Sequence, residues 1–242
     1  RSSDLTGQVT VEVVPRGKHL LHRVEGGWTI HSHLRMEGQW RLEALGSPAA
    51  DRGLRNPQVR ALLDAGSLAQ GWRALGLRLG ELDLLRTTEE ARLVGHLGPD
   101  ILGADLDASA VADSLQAAGR PLAEVLLDQR LVAGIGTFWA SEILFVARLH
   151  PWQAADEVDR DVLTAALDRL ARRKQRELGE LVVKHDLLPV EVQLGVPVPD
   201  LPPDLDRQAV HVAELQRADA AASLAHRLEG RGLRCRAAQH AL

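Results

Sequence analysis

The chain has 242 residues, of which 45% are hydrophobic and 26% charged, and its formal net charge is −4. This balance excludes a disordered or collagen-like chain, and the single cysteine, Cys235, excludes an intrachain disulfide and a zinc site built from paired cysteines. The negative charge argues weakly against a nucleic-acid partner, but a basic face can be local, so net charge leaves that class open.

The first third of the chain has the pattern of short strands. Segment 9–14 is rich in β-branched residues, and a Glu-Gly-Gly turn signal at 25–27 separates two further strand-like segments. We predict strands over 9–14, 19–24, 28–34, 39–42, 58–63 and 75–84. Short strands at this spacing predict a sandwich or barrel over residues 1–85. Because the chain starts at Arg1 rather than Met, we expect that an upstream segment is missing.

The rest of the chain changes to a helical period. Residues 86–107 have the pattern of a linker, and Asp107 or Ser109 can cap a helix over 110–118. Further helices are predicted over 121–128, 137–149 and 156–178, with a glycine-rich turn region at 129–136. Prolines then break any regular element, although 205–228 could form one more helix. The predicted fold class is therefore α+β, with strands first and helices after them.

Four side chains of the strand-rich part are candidates for function. Lys18 follows Gly17 at a tight turn, where a lysine either protects a sheet edge or contacts a phosphate, and taken alone the first is favoured. His31 and His33 share one face of a strand at metal-like spacing, but no third ligand is evident, so we interpret them as surface histidines and assign no metal. Met36, the sole methionine of the sequence, either fills a core gap or acts as an apolar wedge in a base stack.

The most specific segment of the chain is 119–150, which is predicted as helix, two turns and helix. Its Gly134-Ile135-Gly136 turn leaves backbone N–H groups at the start of a helix, an anion-binding arrangement that suits a DNA phosphate. The glycines alone would equally fit an ordinary helix hairpin. The whole segment is far more specific than its glycines.

The sequence resembles the formamidopyrimidine-DNA glycosylase and endonuclease VIII family of base-excision repair enzymes, and its endonuclease VIII-like side in particular. The matching blocks are 16–20, 31–41 and 119–151, with 95–102 as the hinge between the two family domains. The resemblance extends from about residue 4 to about residue 173. It implies a β-sandwich without its first helix and strand at 1–85, a hinge linker at 86–107, a helix–two-turn–helix DNA-binding domain at 108–178 and a divergent C-terminal region without a zinc finger at 179–242.

The resemblance also implies an activity. Members of the family flip a damaged base out of the duplex, cut the glycosidic bond and nick the strand by elimination. Lys18 corresponds to a catalytic lysine that approaches the phosphate near the lesion, and Met36 to a residue that fills the gap left by the flipped base. The implied DNA-binding residues are Lys18, Arg35, Met36, Gly134, Gly136 and Thr137.

Three features depart from the family pattern. The family uses an N-terminal proline amine followed by a glutamate, because a terminal amine, with a pKa of about 8 against about 10.4 for lysine, is far less protonated near neutral pH. Arg1-Ser2-Ser3 offers neither residue. Thr137 stands where the family usually has a phosphate-binding asparagine, although a hydroxyl can still donate. The lone Cys235 does not match the family's four-cysteine zinc finger, and from about residue 175 the alternatives are a shifted reading frame and a divergent, metal-free end.

We therefore expect a DNA glycosylase with abasic-site lyase activity, impaired in this chain. One alternative is a non-catalytic protein that binds damaged DNA, which the absent proline and glutamate favour. Another is an interaction module built on the helical half, which Lys18 and Met36 argue against. The expected partner is double-stranded DNA with a damaged base or an abasic site. We expect no cofactor, a monomer, a place beside the nucleoid in a bacterial cytoplasm, and no membrane partner, because no run of about 18 apolar residues is present.

Overall fold

The computed structural model describes Leu5 and residues 7–66 and 71–184, with side chains as far as residue 177. Strands dominate the first part of this range and helices the second. The strands are β1 Thr10–Arg16, β2 His19–Val24, β3 Trp28–His33, β4 Gln39–Ala44, β5 Val59–Ala65, β6 Trp72–Leu77 and β7 Glu81–Arg86. The helices are α1 Pro48–Gly53, α2 Ala91–Val94, α3 Ala108–Ala117, α4 Leu122–Leu127, α5 Thr137–Ala147 and α6 Arg160–Lys184.

The strands form two antiparallel sheets that pack as a sandwich. One sheet has the order β1-β2-β3-β7 and the other β4-β6-β5. Because side chains alternate between the faces of a strand, one face of each sheet supplies the apolar core. Buried members of that core include Leu20, Ile30, Trp40, Leu63 and Leu79. The predicted class, a β-sandwich followed by helices, is confirmed.

The prediction of one strand over 75–84 was wrong, because this segment forms two strands in different sheets. β6 lies between β4 and β5, whereas β7 pairs with β3. The backbone turns between them at Arg78, which has a φ of +45°, and Leu79 in the same turn is buried in the core. An arginine and a buried leucine are not turn signals, so the pattern indicated one continuous strand. The error hid Glu81, which lies opposite His33 on the neighbouring strand.

The helices surround a second apolar core. Asp107 caps α3 by accepting hydrogen bonds from the N–H groups of Ser109 and Ala110, both at 3.0 Å, as one of the two predicted caps requires. Trp139 of α5 and Leu167 of α6 are buried in this core. The predicted turn region at 129–136 and the helix after it are both present.

The last helix begins later than predicted. Residues Ala155–Glu157 form a single 3-10 turn, and Asp159 caps α6 by accepting from the N–H groups of Asp161 at 2.9 Å and Val162 at 3.2 Å. The acidic pair at 156–157 therefore precedes the helix instead of opening it. The predicted helix over 205–228 lies outside the described residues. Among the described helices, none is both long and apolar enough to cross a membrane.

Candidate nucleic-acid interface

The tip of the β1–β2 hairpin is hydrogen-bonded to the segment that leads into the helices. Arg16 Nη2 donates to the carbonyl oxygens of Leu97 at 3.0 Å and Gly98 at 2.8 Å. The N–H of Gly17 donates to Asp100 Oδ2 at 2.5 Å. These bonds fix the hairpin tip against the helical part of the chain, because charge-assisted bonds at these lengths are among the stronger ones.

The glycine-rich turn before α5 packs beneath this hairpin. Gly17 has a φ of +59°, and a Cβ there would lie 3.2 Å from the Cβ of Ala133, so glycine suits both the turn and the close approach. The N–H of Gly134 donates to Gln129 Oε1 at 3.0 Å, and Gln129 Nε2 donates to the carbonyl oxygen of Ile135 at 2.8 Å. One glutamine side chain thus fixes the shape of the turn.

The structure brings Lys18 to the N-terminus of α5. A Cβ placed on Gly136 would lie 3.6 Å from Lys18 Nζ, so the amine rests beside the residue that precedes the helix. Gly136 is the N-cap residue, and no side-chain hydrogen bond caps this helix. The positive end of the helix dipole and the lysine ammonium therefore lie side by side. The space between Lys18 and the first residues of α5, here called the recess, suits an anion. Thr137, the first residue of α5, is exposed beside it.

A second lysine, which the sequence did not predict as part of the site, stands behind this recess. Lys174 of α6 is fully buried, with Nζ 5.0 Å from the centroid of the Trp139 ring. Burial, and secondly the charge of Lys174, lower the pKa of Lys18. The one sequence signal that could have revealed Lys174 is the scarcity of lysine, because two of the three lysines in the sequence meet at this site.

Met36 lies at the tip of a short loop that follows β3. Its side chain is 88% exposed, which rules out the core-filling interpretation. The loop is closed by the N–H of Gly38, which donates to the carbonyl oxygen of Leu34 at 2.9 Å. Arg35, predicted to bind DNA, is ion-paired with Glu81, so any DNA contact by Arg35 competes with that carboxylate. An exposed apolar side chain on a braced loop has the form expected of a wedge.

The interpretation of His31 and His33 as two surface histidines was wrong for His31. His31 is fully buried, and its Nε2 lies 2.8 Å from Nδ1 of His19 while its Nδ1 lies 3.0 Å from Asp83 Oδ2. His33 is half-buried, and its ring centroid lies 4.7 Å from that of His19. Burial lowers the pKa of both His19 and His33 to about 4. These two rings are therefore neutral at pH 7.

Replacing Asp100 by alanine is expected to lower the free energy of unfolding by about 1–3 kcal/mol. The N–H groups of Gly17 and Leu102 would both lose their acceptor, and a polar group left unpaired on burial costs about that much. Urea unfolding measures the change. The control is Asp105→Ala, since Asp105 is an exposed acid on the same segment. Equal stability of the two variants would contradict a structural role for Asp100.

The sandwich with its lysine-tipped hairpin and the helix–two-turn–helix unit beneath it are each matched by a family model. The formamidopyrimidine-DNA glycosylase N-terminal domain matches residues 1–70, and the formamidopyrimidine-DNA glycosylase H2TH domain matches residues 97–177. The chain belongs to the formamidopyrimidine-DNA glycosylase and endonuclease VIII family. The resemblance drawn from the sequence is thereby confirmed.

Relatives of the chain include proteins named endonuclease 8 and proteins named formamidopyrimidine-DNA glycosylase. A probable endonuclease 8 2 of Streptomyces coelicolor is 47% identical over 171 residues, which are 70% of this chain and 59% of that protein. A protein of Mycolicibacterium smegmatis named DNA-(apurinic or apyrimidinic site) lyase Nei2 is 41% identical over 144 residues, 59% of this chain and 52% of that one. The crystal structure of the MutM (Fpg) protein of Thermus thermophilus aligns with a TM-score of 0.53 and 32% identity, over 72% of this chain and 62% of that one.

The chain spans between about half and two thirds of the length of these relatives. Residues 1–4 and Cys235, on which two of the departures depend, lie outside the described residues. A four-cysteine zinc finger does not fit these 242 residues, because they include one cysteine.

Proposed function

We propose that this chain recognises double-stranded DNA at a damaged base or an abasic site, as a DNA glycosylase with abasic-site lyase activity. The observation that carries the proposal is the position of Lys18 Nζ at the N-cap of α5, where hairpin and helix dipole face one recess. One relative is named as an abasic-site lyase, which supports the same substrate class. The finer assignments below are parts of this proposal.

The recess binds one phosphate of the DNA backbone. Amide N–H groups at the start of α5 donate to its oxygens, and the ammonium of Lys18 neutralises its charge. The exposed hydroxyl of Thr137 is available as a further donor. Such a contact sets the register of the duplex and carries no base specificity.

Met36 then occupies the space that a flipped nucleotide leaves in the stack. Extruding a base costs a few kcal/mol of stacking and pairing, and an apolar side chain in the gap offsets part of that cost. The exposure of Met36 and the braces on its loop fit this task. Arg35 contacts the DNA beside it only when its ion pair with Glu81 opens.

The lyase step requires an unprotonated amine. In the proposed chemistry the nitrogen of Lys18 attacks C1′ of the opened abasic sugar and water leaves, which forms a Schiff base. Loss of a proton from C2′ then breaks the C3′–O bond and releases the 3′ phosphate. The protonated amine contacts the phosphate first, and the lowered pKa of Lys18 eases the loss of its proton before the nitrogen attacks C1′.

Borohydride trapping on a duplex with one abasic site tests the chemistry. A covalent band is expected for the wild-type chain and none for Lys18→Arg, because arginine keeps the charge but forms no Schiff base under these conditions. A band that persists in Lys18→Arg would show that another amine is the nucleophile. No band from a wild-type chain that still prefers lesion DNA would favour the non-catalytic alternative.

The setting of this activity is also part of the proposal. The relatives named above are bacterial proteins, which supports action on a bacterial chromosome in the cytoplasm. We propose a monomer, and a DNA-binding recess that needs no cofactor because Lys18 and the backbone amides of α5 supply the donors.

A further inference from the structure

Three neighbouring strands place two imidazoles and a carboxylate around one point of the first sheet. His19 lies on β2, His31 on β3 and Glu81 on β7, and one ligand atom from each lies within 4.8 Å of the others. The register explains the grouping: His33 lies opposite both His19 and Glu81, and residues two apart on a strand share a face. This cluster belongs to no part of the proposed phosphate recess.

A fourth residue fixes the orientation of the buried imidazole. Asp83 Oδ2 lies 3.0 Å from His31 Nδ1, and an ionised carboxylate only accepts, so Nδ1 carries the proton. The Nε2 of His31 therefore presents its lone pair towards His19 Nδ1, 2.8 Å away. A carboxylate behind a histidine is the arrangement that orients metal-binding imidazoles and raises their basicity.

We propose that His19 Nδ1, His31 Nε2 and a carboxylate oxygen of Glu81 bind one Zn²⁺ ion, with a fourth position left for water. Two nitrogens and one carboxylate are a ligand set that zinc uses, with metal–ligand bonds of about 2.0–2.2 Å. Tetrahedral bonds of that length separate two nitrogens by about 3.3 Å, so the His19–His31 hydrogen bond opens by about 0.5 Å when the ion enters.

The three ligand side chains already make an ion pair and a hydrogen bond, and an incoming ion must compete with these interactions. Arg35 is paired with Oε1 of Glu81, which leaves the second carboxylate oxygen for the metal. The His19–His31 hydrogen bond is lost, and the proton on His19 Nδ1 is replaced by one on Nε2, so both imidazoles bind the ion as neutral rings. Because the three ligands come from adjacent strands, the ion ties β7, which leads into the linker, to the hairpin strand that follows Lys18. The sequence predicts no metal, because it shows no third ligand near His31 and His33. The proposed zinc site therefore differs from that expectation, and it does not rest on the proposed function.

Titration of the metal-free full chain with Zn²⁺, followed by calorimetry, tests the site. One equivalent is expected to bind in the wild type, with a rise in the melting temperature. His31→Gln and Glu81→Gln are expected to lower affinity at least tenfold, and Asp83→Asn about 10- to 100-fold. The matched control is His150→Gln, because His150 is an exposed histidine outside the cluster, and it should bind as the wild type does.

The same titration with Co²⁺ and with Cys235→Ser separates this site from any other. The bound Co²⁺ is expected to show the absorption spectrum of an ion with nitrogen and oxygen ligands. That spectrum should not change in Cys235→Ser. Circular dichroism confirms folding of each variant, and Glu81→Gln and Asp83→Asn alter partly exposed side chains, so they retain a readout if His31→Gln unfolds. Wild-type affinity in folded Glu81→Gln and Asp83→Asn, or no stoichiometric binding in the wild type, would overturn the proposal.

Discussion

Lys18→Ala is expected to weaken binding to a duplex with one abasic site by about 10- to 100-fold. The substitution removes the ammonium from the recess at the N-cap of α5 and leaves the backbone N–H groups and the Thr137 hydroxyl as donors to the phosphate. A hydrogen bond to a charged group contributes about 1.5–3 kcal/mol, which corresponds to that range of affinity. Fluorescence anisotropy at one fixed salt concentration measures the change.

The control for this experiment is Lys184→Ala, at the last residue of α6. It removes the same charge from the chain, so a purely global electrostatic effect would weaken both variants equally. The slope of log affinity against log salt is expected to fall by about one in Lys18→Ala, since one phosphate contact is lost. Equal losses in the two variants would contradict the role of Lys18 in the recess.

The functional residues that sequence reasoning found are those whose role is indicated by their immediate neighbours in the chain. A lysine after a glycine turn, and glycines before a helix, indicate phosphate contacts separately, and the family resemblance joined them. Only the folded structure shows their contact, because Lys18 and Gly136 are 118 positions apart in the chain. The α+β class followed in the same way from the change in hydrophobic period between the two halves.

The residues that sequence reasoning missed depend on tertiary neighbours. Glu81 was absorbed into a single predicted strand, and only the switch of sheet at Arg78 places it beside His33. Lys174 lies on an amphipathic helix where a lysine is ordinarily solvated, yet the fold buries it over Trp139. The local pattern predicts an exposed His31, because no nearby residue indicates that Asp83 will satisfy its ring.

Gly98→Ala is expected to lower the free energy of unfolding by about 1–3 kcal/mol or more, as overpacking between rigid elements does. A Cβ at this position would overlap the carbonyl oxygen of Arg130 and lie 2.8 Å from the carbonyl carbon of Leu131. Both are backbone atoms, so no side-chain rotation relieves the clash. The N–H of Gly98 also donates to the carbonyl oxygen of Gln129 at 2.9 Å, a bond that separation would lengthen. Chemical denaturation followed by circular dichroism measures the loss.

Gly119→Ala is the matched control. Gly119 has a φ of +58°, and an added methyl group would have nothing within 4 Å among the described residues, so its cost is the left-handed conformation alone, about 1–2 kcal/mol. The two variants should differ more in DNA binding than in stability. The carbonyl of Gly98 accepts from Arg16, so a displaced linker moves the hairpin that holds Lys18, whereas the N–H of Gly119 donates to the carbonyl oxygen of Gln116 in α3. Lesion-DNA affinity that survives in Gly98→Ala would show that the hairpin is positioned mainly by Asp100 and the turn before α5.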